Sequence, residues 1–273
     1  MLFFRAVGYR EVVAGLARLG LSRRSGVVVH ASLSAFGQVQ GGARTVVQAL
    51  LDTVGTLIMP AFTYETITWT EGRRASGTAG FHSGLPVSRE IGRIPEVFRR
   101  EFAPLRTSHP VLSFVVAGTG ASELAAVQSL ERPYGPIEKL AEHGGEVLLL
   151  GVDHRSNSTI HLGEQLAGRM ILVRSARLAS GQVVSFPFPN CSAAFGRLAW
   201  ELRGARRVKV GRAQVQAVAM SQVLAATQHL LALHPTALLC RSPSCRCQTV
   251  RRWVQRRPLA AGLAAGAPSE KGA

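Results

Sequence analysis

Val147-Leu148-Leu149-Leu150-Gly151-Val152-Asp153-His154-Arg155-Ser156-Asn157-Ser158-Thr159-Ile160-His161-Leu162-Gly163-Glu164 reads in order as a buried strand, a turn, a polar loop and a helix. The apolar run from Val147 to Val152 has the length and branched content of a strand covered on both faces, and Gly151 lets the chain turn as it leaves. Asn157 or Ser158 is suited to cap a helix beginning near Thr159. His161 and Glu164 stand three residues apart on that helix and therefore share a face. A buried strand that delivers an imidazole and a carboxylate to its carboxyl end predicts an α/β fold with an active-site edge.

Working outward, the same arrangement recurs. Arg10 to Leu19 has helical apolar spacing with Gly20 as a stop, and Val27-Val28-Val29 opens a strand. That strand leaves through His30-Ala31-Ser32-Leu33-Ser34, and Gly37 to Gly42 bends the chain into a helix from about Ala43 to Val54. Small polar residues and glycines before a helix expose backbone N–H groups that hold anions or carbonyls. Neither a G-x-G-x-x-G fingerprint nor a P-loop is present. Thr56 to Pro60 reads as a second buried strand continuing into Tyr64 and Glu65. Thr66 to Ile94 is glycine-rich and weakly periodic, which predicts a long functional loop. A short helix over Pro95–Phe102 and a strand over Val111–Ala117 follow, the latter entered through Arg106-Thr107-Ser108-His109-Pro110. Beyond His161, Ile171 to Phe188 is strand-like, Cys191 to Leu198 begins a helix, Val208 to Gly211 makes a turn, and Ala217 to Leu233 is an amphipathic helix. From Arg251 onward the composition reads as a solvated tail.

The 273 residues contain 47% hydrophobic and 18% charged residues, which is globular rather than disordered. No apolar run approaches the ~20 residues of a membrane helix. Met1 to Arg5 is apolar too briefly for a secretory signal, so the expected compartment is the cytoplasm. Four cysteines make no disulfide framework in a chain this long. Cys240, Cys245 and Cys247 do cluster, with His229 and His234 upstream, and thiolate with imidazole is a zinc-like ligand set. Their spacing matches no standard finger or ribbon, so the expectation is reduced cysteines without a metal, with a structural zinc as the alternative. The net charge of +16 invites polyanions. Only three of the 32 basic residues are lysines, aromatics are 6%, and no nucleic-acid recognition motif accompanies them, so a nucleic-acid partner is not expected.

Five segments together resemble the aminoglycoside 3-N-acetyltransferase family. They are V-V-V-H-A-S-L-S-A-F-G-Q-V-Q-G-G from Val27, R-T-S-H-P-V-L-S-F from Arg106, G-G-E-V-L-L-L-G-V-D-H-R-S-N-S-T-I-H-L-G-E from Gly144, F-P-F-P-N-C-S-A-A-F-G-R-L from Phe186, and P-T-A-L-L-C from Pro235. The resemblance implies a mixed central sheet with flanking helices, distinct from the GNAT acetyltransferase fold. It implies a single acetyltransferase domain over residues 1–250, with an active-site loop at about 66–94 and a basic tail at 251–273. The implied activity is transfer of an acetyl group from acetyl-CoA, as co-substrate, to the 3-amino group of a 2-deoxystreptamine antibiotic, which confers resistance. The expected oligomeric state is a monomer or homodimer.

Acyl transfer from a thioester to an amine needs a proton acceptor and donors for the developing oxyanion. His161 fits the base, because an imidazole titrates near neutrality. Glu164 either steadies that ring or holds a substrate ammonium. His30, Ala31, Ser32, Leu33 and Ser34 look like the family's pantetheine-contacting strand end, with Ser108 and His109 facing them and Arg106 placed to neutralise CoA phosphates. Tyr64, Glu65, Asp153 and Thr159 are the candidate contacts to the amine substrate. Cys191 has no histidine partner in the sequence, so direct transfer in a ternary complex is expected rather than a covalent acyl-enzyme. The segment Arg132 to Lys139 is shorter than its family counterpart, and a charge of +16 opposes a polycationic substrate. Acylation of another amine in a biosynthetic pathway is therefore the alternative, and a non-catalytic basic protein the second.

Overall fold

The computed structural model describes residues 6–70, 73–74, 79–102, 105–169 and 172–256. The expectations for Met1 to Arg5 and for the tail beyond Arg256 lie outside these residues. In chain order the elements are α1 (Tyr9–Arg18), β1 (Gly26–Ala31), α2 (Gly42–Thr53), β2 (Thr56–Pro60), β3 (Ile67–Thr70), β4 (Arg73–Arg74), α3 (Arg93–Glu101), β5 (Leu105–Arg106), β6 (Phe114–Gly118) and α4 (Ala121–Ala126). They continue with α5 (Gly135–Glu142), β7 (Glu146–Leu150), α6 (Ser158–Leu166), β8 (Leu172–Arg177), β9 (Val183–Phe188), β10 (Arg206–Val210), β11 (Ala213–Ala219), α7 (Met220–Leu233) and α8 (Cys247–Arg256).

A seven-stranded mixed sheet runs in the order β10-β11-β7-β1-β2-β6-β5. Its centre is parallel, with Val28 opposite both Ile58 and Val147, and its flanks are antiparallel. The central strands are apolar on both faces because both faces are covered. Val27, Val29, Leu148 and Leu150 pack against Leu16, Val46, Leu50, Ile94 and Phe98 from α1 to α3. Val28, Val147 and Leu149 face the other way, against Ile137, Ile160, Leu162 and Val223. No helix among the described residues is long and apolar enough to cross a membrane.

Several boundaries differ from those read in the sequence, each for a tertiary reason. The stretch 66–94 is not all loop, because β3 and β4 join β8 and β9 in a second, antiparallel sheet that pairs Ile67 with Ala176. A strand of four residues carries too little alternation to be read before its distant partner is known. Residues Ala217 to Ala219, read as the start of a helix, instead end a strand over Ala213–Ala219, and the helix begins at Met220. Val208 belongs to β10, and Gly211, at φ +57°, makes the hairpin to β11. The segment after Cys191 winds into a 3-10 helix at Phe195–Trp200, and β6 starts at Phe114 rather than Val111. Helix α8 carries the packed chain past residue 250 to Arg256, with Val254 buried in the core.

Candidate active site

Because β1, β2 and β7 are parallel, their carboxyl ends open on one edge of the sheet. Alternation along β1 puts His30 on the same face as Val28, toward α6, and its Nε2 accepts the Ser158 N–H at 3.3 Å. Burial pulls the His30 pKa down to about 3, so the ring is neutral and free to accept. At the end of β7, Gly151 has φ +68°, and a Cβ there would stand 2.2 Å from the Ala35 Cβ, so only glycine makes this exit. The loop then caps α6: Asn157 Oδ1 accepts the Thr159 N–H at 3.0 Å. Asn157 is itself held 3.2 Å from His154 Nδ1, and His154 Nε2 lies 2.9 Å from Gln216 of β11. Burial keeps His154 neutral as well, with its pKa near 4. At Gly163 a Cβ would meet the Thr227 side chain at 2.7 Å, so this glycine lets α6 approach α7 closely.

One turn into α6, His161 Nδ1 lies 2.8 Å from Glu164 Oε2. Glu164 is only 1% exposed, and its other oxygen accepts from the buried Arg169 guanidinium and, at 3.3 Å, from Asn190 Nδ2. Burial raises a carboxyl pKa, but the hydrogen bond from His161 and the charge and hydrogen bond of Arg169 outweigh it and hold Glu164 below the usual carboxylate range. An ionised Glu164 only accepts hydrogen bonds, so the Nδ1 proton of a neutral His161 faces it, and the lone pair sits on Nε2. That is the tautomer of a general base. Tyr134 stacks on the His161 ring with centroids 6.1 Å apart, and Phe195 meets it edge-on at 4.7 Å.

His161 stands where two cavities meet. The larger, of about 720 Å³, is walled by residues 30–34 of the β1 exit, Gly92 and Arg93, and the 155–158 loop. The smaller, of about 360 Å³, is walled by Tyr134, Arg174, Phe188, Asn190 and Arg246. Phe62, Tyr64, His161 and Ser192 line both. The larger volume is that of a site for a sizeable organic ligand.

The edge therefore gathers His30, Ala31, Ser32, Leu33, Ser34, Tyr64 and His161, with Glu164 directly behind His161. Other residues singled out from the sequence lie elsewhere. Arg106 does not turn to the larger cavity: it donates to the carbonyls of Ala61, Ser83 and Leu85 and to Ser113 Oγ, and stacks on Phe81 at 5.3 Å. It pins the 81–85 loop to the sheet edge, and burial lowers its pKa to about 10. His109 points away too, its Nδ1 accepting the N–H groups of Val111 and Leu112 and its ring packing edge-on against Phe186. Ser108 beside it lines neither cavity. Glu65 accepts from Ser88 Oγ, Asp153 pairs with Arg155 at 2.8 Å, and the Thr159 hydroxyl is fully buried, and none of the three lines either of these two cavities. Sequence reasoning missed Tyr134, Asn190, Arg174, Arg246 and Ser192 as walls, and Arg169 as the partner of Glu164. The motif around Asn190 was the one local signal for any of them. The three clustered cysteines gain a fourth member, Cys191, while His229 and His234 stay outside the group.

The sequence matches the family described as aminoglycoside 3-N-acetyltransferase over residues 28–232. It is 34% identical over 188 residues to aminoglycoside N(3)-acetyltransferase IX of Micromonospora chalcea, covering 62% of this chain and 67% of that relative. Across three such relatives the matched segment spans 58% to 67% of the relative's length. Among solved structures, that of AAC-IIIb, binary with CoASH, superimposes with a TM-score of 0.74 at 26% identity, over 84% of this chain and 97% of that one. The fold is likewise that of aminoglycoside acetyltransferase AAC(3)-IVa, at a TM-score of 0.80 and 23% identity, over 92% of this chain and 99% of that one. With its sheet edge, its His161–Glu164 pair and this match over most of its length, the chain belongs to the aminoglycoside 3-N-acetyltransferase family.

Proposed function

We propose that this chain is an acetyl-CoA-dependent N-acetyltransferase that acylates the 3-amino group of a 2-deoxystreptamine aminoglycoside by direct transfer in a ternary complex, and so confers resistance. The observation that carries the reading is the position of His161, with Nδ1 held by a buried carboxylate and its ring at the junction of two cavities. The names of the relatives and the CoA complex of AAC-IIIb support the substrates.

The larger cavity fits an extended pantetheine, whose amides match the backbone of Ala31 to Ser34 and the hydroxyls of Ser32 and Ser34. Arg93 on the same wall supplies a cation for phosphates. Acetyl-CoA brings an acetyl group already activated as a thioester. His161 Nε2 takes the proton of the attacking amine as the C–N bond forms and the C–S bond breaks, and hands it to the departing sulfur. Glu164 holds the ring in the accepting tautomer and stabilises the imidazolium formed between those transfers. On this reading the chain works in the cytoplasm.

Arg246 on the smaller cavity favours a second reading, in which the acceptor is an amine with fewer positive charges than an aminoglycoside. The test is thiol release from acetyl-CoA with gentamicin-like, neomycin-like and apramycin-like acceptors, run beside His161→Ala. Release with these acceptors, abolished in the variant, is expected. No release with any of them refutes the aminoglycoside reading, and unchanged activity in His161→Ala refutes the base. An acyl-protein adduct that survives denaturation refutes direct transfer.

A further inference from the structure

All four cysteines of the chain meet at one point. Cys191 leaves the turn after β9, Cys240 and Cys245 lie on the irregular 234–246 segment between α7 and α8, and Cys247 is the first residue of α8. Their four sulfurs lie within 4.8 Å of one another, and none is in a disulfide. We propose that Cys191, Cys240, Cys245 and Cys247 form a structural zinc site.

The geometry is close to that of the bound state. Tetrahedral ZnS4 with bonds of ~2.3 Å needs sulfurs about 3.8 Å apart. The group therefore reaches it by side-chain adjustments of about an ångström or less. A disulfide, at ~2.05 Å, would join only two of the four and leave the others idle. The surroundings suit thiolates. The Ala193 N–H donates to Cys191 Sγ at 3.4 Å, and Cys247 sits at the positive end of a ten-residue helix. A zinc tetrathiolate carries a net negative charge, and Arg246 and Arg251 stand beside it, the first between two ligands and the second donating to the Cys240 carbonyl at 3.2 Å. Three of the four cysteines are only partly buried, which suits a redox-inert ion better than iron.

The site also answers a structural need. Residues 234–246 contain turns and bends but no helix or strand, and Leu238, buried within them, has φ +62°, a left-handed conformation strained for a branched side chain. A metal joining this segment to the β9 turn and to α8 holds it by covalent-strength contacts at three places. The same clamp fixes the smaller cavity, because Ser192 follows one ligand and Arg246 separates two others. Pattern reading alone does not find the site, since C-x4-C-x-C is no standard motif and the fourth ligand is distant in sequence.

The experiment is elemental analysis of the full chain purified without chelator, followed by cobalt substitution of the reduced protein. About one zinc per chain is expected, with cobalt giving the intense thiolate-to-metal charge-transfer band and the visible bands of a tetrahedral tetrathiolate. Cys191→Ser and Cys245→Ser, each checked by circular dichroism, should weaken metal affinity by at least about tenfold in chelator competition. Absence of zinc together with absence of the cobalt thiolate band refutes the site, and does so even where the variants fail to fold. Iron in place of zinc, or disulfides in the unreduced protein, refutes it equally.

Discussion

Replacing Glu164 by glutamine tests the centre of the site, because its two oxygens serve different partners. Oε2 faces the His161 Nδ1 proton, and Oε1 accepts from Arg169 and Asn190. A glutamine amide has one accepting and one donating end, so one side always suffers. With its NH2 toward His161, the ring must carry its proton on Nε2 instead and is no longer a base; with its NH2 toward Arg169, two donors confront a third. The first orientation is the cheaper, since it keeps an acceptor for the buried guanidinium. Loss of the carboxylate charge beside a fully buried arginine then costs about 3 kcal/mol, the low end for removing one partner of a buried pair. In a chain of this size that is a fall in Tm of about 6–12 °C. The wrong tautomer should lower kcat by roughly 10²–10⁴-fold. Thermal unfolding and thiol-release kinetics measure the two effects separately. A double variant, Glu164→Leu with Arg169→Met, removes both charges and should recover most of the stability while remaining inactive. A Glu164→Gln protein with unchanged Tm and kcat would refute both the buried pair and the tautomer argument.

Other perturbations probe the rest of the edge. His161→Gln should fold normally yet lose roughly 10²–10⁴ in kcat, with the KM for acetyl-CoA little changed, as steady-state kinetics will show. Arg106→Ala should destabilise the fold by at least about 2 kcal/mol in denaturant titration and leave the KM for acetyl-CoA near its native value, since the guanidinium serves carbonyls rather than phosphates; a large rise in that KM with unchanged stability would restore it to the cofactor wall. Burial lowers His30 to about 3 and His109 and His154 to about 4, against 6.5 when exposed. The unfolded chain therefore binds protons first, and the stability these neutral rings contribute is full above pH 6.5 and is lost as the pH falls toward 4. Each contributes up to about 1.4 kcal/mol per pH unit within that window, so Tm measured from pH 7 to 5 should drop steeply, and less steeply in His154→Gln. Arg246→Gln should lower the KM for a polycationic acceptor by removing like charge from the smaller cavity, and an unchanged KM would separate that cavity from acceptor binding.

Much of the site is local, and that part was legible in the sequence. The i, i+3 spacing of His161 and Glu164, the Asn157 cap, the glycine exit at Gly151 and the apolar strand before it all depend on helix period, backbone freedom and burial over a few residues. The five family segments carry the fold class for the same reason, since a parallel core needs strands apolar on both faces. What the sequence left open is what distant parts of the chain bring to these elements. Arg106 looks from its neighbours like a phosphate ligand, yet folding surrounds it with carbonyls. Ala217 to Ala219 read as the start of the following helix until β7 supplied a pairing partner for the strand they end. Glu164 was equally consistent with holding a ring or a substrate until Arg169 and Asn190 closed around its other oxygen. By itself, then, the sequence determined the central strands and their helices, the family and the histidine–carboxylate pair, because their signals repeat within one or two turns of chain. Only the tertiary structure decided which side chains complete that pair, which arginines are spoken for, and that four cysteines converge, because such contacts depend on sheet order and loop closure between segments that carry no record of one another.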